Sequence, residues 1–519
     1  MKDQSIQELI DLYNSGKLDI VEKKIVELIK KNPKSFVLYN LFGTILVDKK
    51  NFNQALVNYK KSLEINPNYA EGHNNLGVAF YKLRKFNESI DSYQRAIKIK
   101  PNFSKAHNNL GLAYKELEKF TESINNYQKA IKINPGYAEA YNNLGVTFKQ
   151  LGELNESFNN YQKAIKINPE YAEAYNNLGN VYNSNQKIDD AILNYKKAIK
   201  LNANFPEAYS NLGNLLKEIG EVEEAKKYEN KLLSLRPNDI EYKINVILSI
   251  SPIVSSIEEI NYCRNKYEKG LDLLKEYQYL SEKPGDTIKT STFLLGYHAK
   301  DNLELMKNTS DLFRKIIPNL NYISKNIDKH KKQKKIRVGF ISEFLTRHTV
   351  GKLFGGLIKN IDRKKFEVVI FHTQRTKKSI NKNEIDNISD KVINLSNRIK
   401  EQHSQVENEN LDIIFYPEIG MSQTIYFLAF ARLASVQIVS FGHPETTGIN
   451  TIDYFLSSTL LEPNNKKKYS ERLICLSQFP LYYQPPQSLG PLKNRKDLEL
   501  PENARLYGCP QSLFKLHPD

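Results

Sequence analysis

AEAYNNLGVTFKQLGELNESFNNYQKAIKINPEY, residues 138–171, is one full beat of a pattern that returns every 34 residues. Its proline, Pro169, has counterparts at Pro33, Pro67, Pro101, Pro135 and Pro237, and only Ala203 breaks the series. Its glycine, Gly145, has counterparts at Gly43, Gly77, Gly111, Gly179 and Gly213. Two amphipathic helices fit each beat. Tyr141, Leu144, Gly145 and Phe148 share one face of the first, and Ser157, Tyr161 and Ala164 share one face of the second. Small residues recur where the two helices must approach, and the proline stops the second helix because it cannot continue one.

The pattern resembles the tetratricopeptide repeat. Small residues stand in register at Ala55, Ser89, Ser123, Ser157, Ala191 and Ala225, and aromatics at Tyr59, Tyr93, Tyr127, Tyr161 and Tyr195. With a degenerate first unit the count is seven, ending near residue 239. Such pairs stack into a superhelix with a continuous concave face. An array of this kind is by itself a scaffold rather than an enzyme. Within it an asparagine precedes the Leu-Gly pair five times, at Asn75, Asn109, Asn143, Asn177 and Asn211. Asparagine is poorly suited to a helix interior because its amide competes for backbone hydrogen bonds. A row of amides along a groove can pair with the backbone of an extended polypeptide. The alternative is a neutral surface residue copied by duplication, and the equally repeated Asn74, Asn108, Asn142 and Asn176 fit that alternative.

The bulk properties narrow the class. A chain of 519 residues exceeds one core, so several domains are expected. Met1 to Asp19 is polar, so no signal peptide is expected. The most apolar window, Ile425–Phe441, is broken by Arg432 and Gln437, so no membrane span is expected either. Cys263, Cys475 and Cys509 lie far apart and outside any CxxC, which suits a reducing cytoplasm and neither a disulfide scaffold nor a zinc site. The net charge is +16, but the lysines are scattered and no basic stripe with interleaved aromatics occurs, so no nucleic-acid partner is expected.

The expected organisation is a repeat superhelix over 1–239, a helical connector over 240–335, a Rossmann-like lobe over 336–500, and the start of a second, largely missing lobe over 501–519. In the connector, Tyr297-His298 is expected to be a packed corner. From Ile336 short apolar runs alternate with helical ones. Strands are expected at Ile336–Ser342, Phe366–His372, Lys391–Ser396, Leu411–Pro417, Val436–Phe441 and Asp453–Leu456, with helices at Val350–Ile361 and Thr424–Ala434. This alternation predicts an open parallel sheet covered by helices on both faces. Ligands of such sheets sit at the carboxyl ends of the strands. The loops EFLTRHTVG (343–351) and GHPETTG (442–448) fall there, and neither is a dinucleotide or Walker loop.

The segments KIRVGFISEFLTRHTVGKLFGGLIKNIDRKKFEVVIF (335–371), YPEIGM (416–421), FLAFARLASVQIVSFGHPETTGINTIDYFLSS (427–458), YSERLICL (469–476) and CPQSLFKLHPD (509–519) carry a resemblance. Together they resemble the catalytic region of O-linked glycosyltransferases that bear tetratricopeptide repeats, the O-GlcNAc transferases and SPINDLY-type enzymes and their bacterial relatives. The resemblance implies a GT-B arrangement of two Rossmann-like lobes, a nucleotide-sugar donor, inversion at the sugar carbon, and no metal or other cofactor. It implies His348 as a general base for a Ser or Thr hydroxyl, a role that suits an imidazole titrating near neutrality. It also implies that His443, Thr446 and Thr447 line the cleft and that Lys515 contacts the donor diphosphate, where a fixed cation stabilises the leaving group. Animal enzymes of the family have histidine where this chain has Asp412, so no role is carried to that position.

The function expected from these features is a cytoplasmic protein O-glycosyltransferase that uses UDP-GlcNAc and holds its polypeptide acceptors on the repeats. A GDP-fucose or UDP-glucose donor is the alternative within that class. A non-catalytic repeat adaptor with a degenerate lobe is the alternative outside it. The 519-residue chain alone is expected to have little transferase activity.

Overall fold

The computed structural model describes residues 9, 11–13, 15, 17–251, 254, 256–327, 335–376, 379–440, 442, 445–462 and 468–478. It divides into two compact units, Met1–Leu212 and Gly213–Asp519. The division falls earlier than the boundary expected at 239. In a stacked array each repeat contacts only its neighbours, and the last second helix, Val222–Leu235, groups with the connector.

In the first unit the beats between Phe36 and Leu201 are helix pairs. The central ones are Ser104–Glu116 with Phe120–Ile133, and Ala138–Gln150 with Leu154–Ile167. The glycine beat has a packing cause. A Cβ on Gly43, Gly77, Gly111, Gly145 or Gly179 would lie 2.5–2.7 Å from Cε1 of Tyr59, Tyr93, Tyr127, Tyr161 or Tyr195, respectively. Each tyrosine ring rests on a bare helix backbone, and all five are nearly inaccessible to solvent. The hydroxyls differ. Tyr195 donates to Asn180 Oδ1 at 2.9 Å, whereas the buried Tyr161 Oη has no hydrogen-bond partner among the described residues. Tyr161→Phe should therefore leave stability within about 0.5 kcal/mol of the parent. Tyr195→Phe should cost about 1 kcal/mol. Urea unfolding of both variants checks the contrast.

The second unit is built on a seven-stranded parallel sheet: β1 Ile336–Ile341, β2 Phe366–His372, β3 Lys391–Asn394, β4 Ile413–Tyr416, β5 Val436–Ser440, β6 Tyr454–Ser458 and β7 Arg472–Leu476. The strand order is β3-β2-β1-β4-β5-β6-β7, so the direction of winding reverses between β1 and β4. Period-two alternation splits the central strands between two cores. Val338, Phe340, Val368 and Ile370 pack under the helix Thr349–Asn360 through Val350, Phe354 and Ile358. Ile341, Val369, Phe371, Ile414 and Val439 belong to the opposite core, with Leu312, Phe313 and Ile316 of the helix Leu303–Ile316. Both faces are covered, which is why these strands are almost continuously apolar.

One expected element is shorter, and others join it. The helix expected over Thr424–Ala434 spans only Gln423–Leu428. Beyond it the backbone pairs with another segment: Arg432 N donates to Tyr322 O and Ser324 N to Arg432 O, both at 2.9 Å. Burial of the run 425–431 looked helical in sequence, but pairing with 322–324 decides its backbone. The helices Ile380–Ile388 and Ile399–Glu407 and the edge strand β7 were not expected as elements. All three are short. The Tyr297-His298 pair is a packed corner: it closes the 3-10 turn Thr292–His298, with the Phe293 and Tyr297 rings 5.4 Å apart. No helix among the described residues is long and apolar enough to cross a membrane.

Candidate functional site

Three loops leave the carboxyl ends of β1, β4 and β5, beside the reversal of winding where ligands of such sheets bind. The β1 loop is folded tightly. Phe344 N donates to Ser342 Oγ at 3.0 Å and His348 N to Thr346 Oγ1 at 3.3 Å. A Cβ on Gly351 would lie 2.0 Å from Thr346 O, so only glycine lets the helix start this close to the loop. His348 is the N-cap of the helix Thr349–Asn360, and its Nδ1 accepts from Val350 N at 3.3 Å. Its ring lies 4.6 Å from that of Phe344. The cap sets the tautomer: an accepting Nδ1 leaves the proton of the neutral ring on Nε2.

The β4 loop crosses hydrogen bonds with the β1 loop. Ser342 Oγ donates to Glu418 Oε1 at 3.5 Å, and Ser422 Oγ donates to Glu343 Oε2 at 2.6 Å. Glu418 is fully buried. That burial, and then the Glu343 charge, hold its carboxyl well above the usual carboxylate range. The β5 loop presses on the same point, since a Cβ on Gly442 would lie 2.3 Å from Pro417 O and 2.7 Å from Glu418 Cβ.

Further along that loop, burial pushes the Glu445 carboxyl up to about 7. Between its ordinary value of 4.5 and about 7 the folded chain therefore binds more protons at this group than the unfolded chain. Its contribution to stability falls as pH rises through that window and is level above it. Thermal melts at pH 5.5 and pH 8 should show a larger loss on the alkaline side for the parent than for Glu445→Gln.

Residues 314–483 match glycosyl transferase family 41, a stretch that contains all three loops. Tetratricopeptide repeat families match at 43–84, 70–103, 92–125, 112–152, 147–186, 179–220 and 206–239. The chain is a tetratricopeptide-repeat protein with a family 41 glycosyltransferase domain. Among similar proteins, a UDP-glucose:protein N-beta-glucosyltransferase of Actinobacillus pleuropneumoniae is 31% identical over 130 residues, 24% of this chain and 20% of the relative. The probable UDP-N-acetylglucosamine–peptide N-acetylglucosaminyltransferase SEC of Arabidopsis thaliana is 24% identical over 194 residues, 36% of this chain and 20% of the relative. The chain thus spans about a fifth of the length of each of these relatives. A solved O-GlcNAc transferase mutant of Thermobaculum terrenum is 20% identical, with a TM-score of 0.49, over 70% of this chain and 64% of that one.

The residues singled out in the sequence fare differently. His348 stands at the strand end as expected, but as a cap whose accepting nitrogen is already engaged; to serve as a base at Nε2 the ring must give up its cap. Thr446 and Thr447 are each 1% exposed, and their hydroxyls are committed to Glu471. Thr446 Oγ1 donates to Glu471 Oε2 at 2.7 Å, Thr447 N donates to Glu471 Oε1 at 2.8 Å, and Thr447 Oγ1 bonds the same oxygen. These threonines tie the β5 loop to the start of β7 rather than offering open hydroxyls. His443 and Lys515, with the whole of 501–519, lie outside the described residues.

In the repeats the two asparagine registers meet. Asn75 Nδ2 donates to Asn40 Oδ1 at 3.1 Å, and Asn109 and Asn143 donate to Asn74 and Asn108 at 3.0 Å. Asn177 and Asn211 donate to Asn142 and Asn176 at 2.9 Å. One amide proton of each row member therefore stitches its repeat to the preceding one, and in four of the five bonds the acceptor is one of the equally repeated neighbours Asn74, Asn108, Asn142 and Asn176. The sequence also gave no weight to Glu343 and Glu418. The signal available was an acidic residue directly after an apolar strand, which is an awkward place for a charge unless the strand end is used.

Proposed function

We propose that this chain belongs to a protein glycosyltransferase that moves GlcNAc from UDP-GlcNAc to Ser and Thr hydroxyls of polypeptides held on the repeats. The observation that carries the reading is the pairing, in one chain, of tetratricopeptide repeats with a family 41 domain whose β1, β4 and β5 loops converge at the reversal of winding. In this reading the reaction inverts the anomeric carbon and needs no metal or other cofactor. His443 faces the cleft and Lys515 supports the departing diphosphate. The Oδ1 atoms of Asn109, Asn143 and Asn177 contact the acceptor backbone, while Asn75 and Asn211 extend the same row. His348 donates from Nε2 to an oxygen of the reacting groups.

One observation favours a second donor. The relative from Actinobacillus pleuropneumoniae is a UDP-glucose:protein N-beta-glucosyltransferase, and it is more identical over its matched stretch than the plant relative. UDP-glucose, with an asparagine amide as acceptor, is therefore the second reading. The deciding experiment incubates the protein with UDP-GlcNAc, UDP-glucose and GDP-fucose in turn and reads acceptor peptides by mass spectrometry. Addition of N-acetylhexosamine to Ser or Thr supports the first reading. Hexose on Asn replaces it with the second. No addition from any donor sinks both and leaves a repeat adaptor.

A further inference from the structure

The proton of the acceptor hydroxyl must go somewhere, and the cap on His348 makes its ring a donor rather than an acceptor. Glu343 offers the alternative. It is the second residue past β1, at the reversal of winding between β1 and β4, and it is half-buried. Ser422 Oγ, itself the cap of the helix Gln423–Leu428, orients its carboxylate from 2.6 Å. A second, independent feature marks this place. Glu418 is wholly buried, yet its Oε2 has no hydrogen-bond partner among the described residues. A buried polar atom left unpaired in a native fold calls for an explanation.

We propose that Glu343 takes the proton of the acceptor hydroxyl and that Glu418 is its positioning residue. This rests on the glycosyltransferase reading above. In the step, the hydroxyl oxygen bonds to the anomeric carbon while the bond from that carbon to the diphosphate oxygen breaks. The electron pair leaves with the diphosphate, and the hydroxyl proton passes to a Glu343 oxygen. Glu418 contributes from behind. Ser342 Oγ donates to its Oε1 at 3.5 Å, which ties the β4 loop to the residue next to Glu343. Burial, and then the Glu343 charge, hold its carboxyl well above the usual carboxylate range, which disfavours a second negative charge beside Glu343.

The test is transfer to a serine peptide by the full protein. Glu343→Gln should lower kcat at least about 100-fold with the peptide KM unchanged. Glu418→Ala should also lose turnover. Glu418→Gln, which matches the neutral acid in shape, should restore it. Transfer by Glu343→Gln within about threefold of the parent overturns the proposal, as does a Glu418→Gln variant as poor as Glu418→Ala. A second measurement does not need turnover: carbon-13 NMR of the carboxyl resonances while the serine peptide is added. The serine peptide should move the Glu343 and Glu418 signals, and its alanine counterpart should not. Equal effects of the two peptides, or none, overturn the proposal. If the parent transfers sugar while these signals stay still, only this inference fails; if it transfers from no donor, the glycosyltransferase reading fails.

Discussion

Gly448→Ala should destabilise the sheet-containing unit by at least about 3 kcal/mol. Two independent costs meet at this residue. Its φ is +69°, a left-handed conformation that a Cβ disfavours. The added Cβ would also lie 2.4 Å from Met306 C, 2.5 Å from Met306 O and 2.7 Å from Lys307 N. These are backbone atoms of the helix Leu303–Ile316, so no rotamer change relieves the clash. The helix cannot back away cheaply, because Leu312, Phe313 and Ile316 are fixed in the core beneath it. Chemical denaturation of the variant is the check. A loss below about 1 kcal/mol would mean that the β5 loop shifts freely, against the packing described.

His348→Ala should lower sugar transfer by about 10²–10³-fold, the usual cost of removing one hydrogen-bond donor aimed at developing charge. It should also remove the helix cap, at about 1 kcal/mol. The two losses separate in His348→Asn, whose side-chain oxygen can still cap the helix from the same position. That variant should melt like the parent and yet transfer poorly. Peptide affinity, measured by calorimetry, should be unchanged in both variants. Undiminished transfer by His348→Ala removes the residue from the mechanism. Recovery of full activity in His348→Asn would show that only the cap matters.

Much of the fold was legible because its cause is periodic. A 34-residue repeat writes the same packing problem many times, so a glycine under a tyrosine ring stands out even when neither residue is telling alone. The series fails where the packing changes: at the tyrosine position of the last unit stands Glu229, whose Oε1 lies 2.5 Å from Lys217 Nζ in a nearly buried ion pair. The parallel sheet was legible for a related reason. Strands buried on both faces must be apolar throughout, and runs such as FEVVIF between charged flanks have few other uses. The helix end at Leu428 was not legible, since the residues after it are as apolar as those within it.

The candidate site was legible only in its location. Strand ends and the loops after them can be read from alternation, and they put His348, Thr446 and Thr447 beyond the carboxyl ends of β1 and β5. What those side chains do there depends on partners far away in the chain. Thr446 and Thr447 are tied up by Glu471, 25 and 24 residues on. Ser342 meets Glu418 across 76 residues, and Ser422 meets Glu343 across 79. The asparagine row shows the same division. Its register is plain in the sequence, but its use as an inter-repeat ladder emerges only when successive repeats are stacked. Sequence by itself determined the helix pairs and the strands with their direction, because hydrophobic burial and chain direction act over a few neighbouring residues. The tertiary structure alone decided which polar groups are spent on the fold and which remain for chemistry, because a hydrogen bond is made by whatever atom folding brings within 3 Å or so.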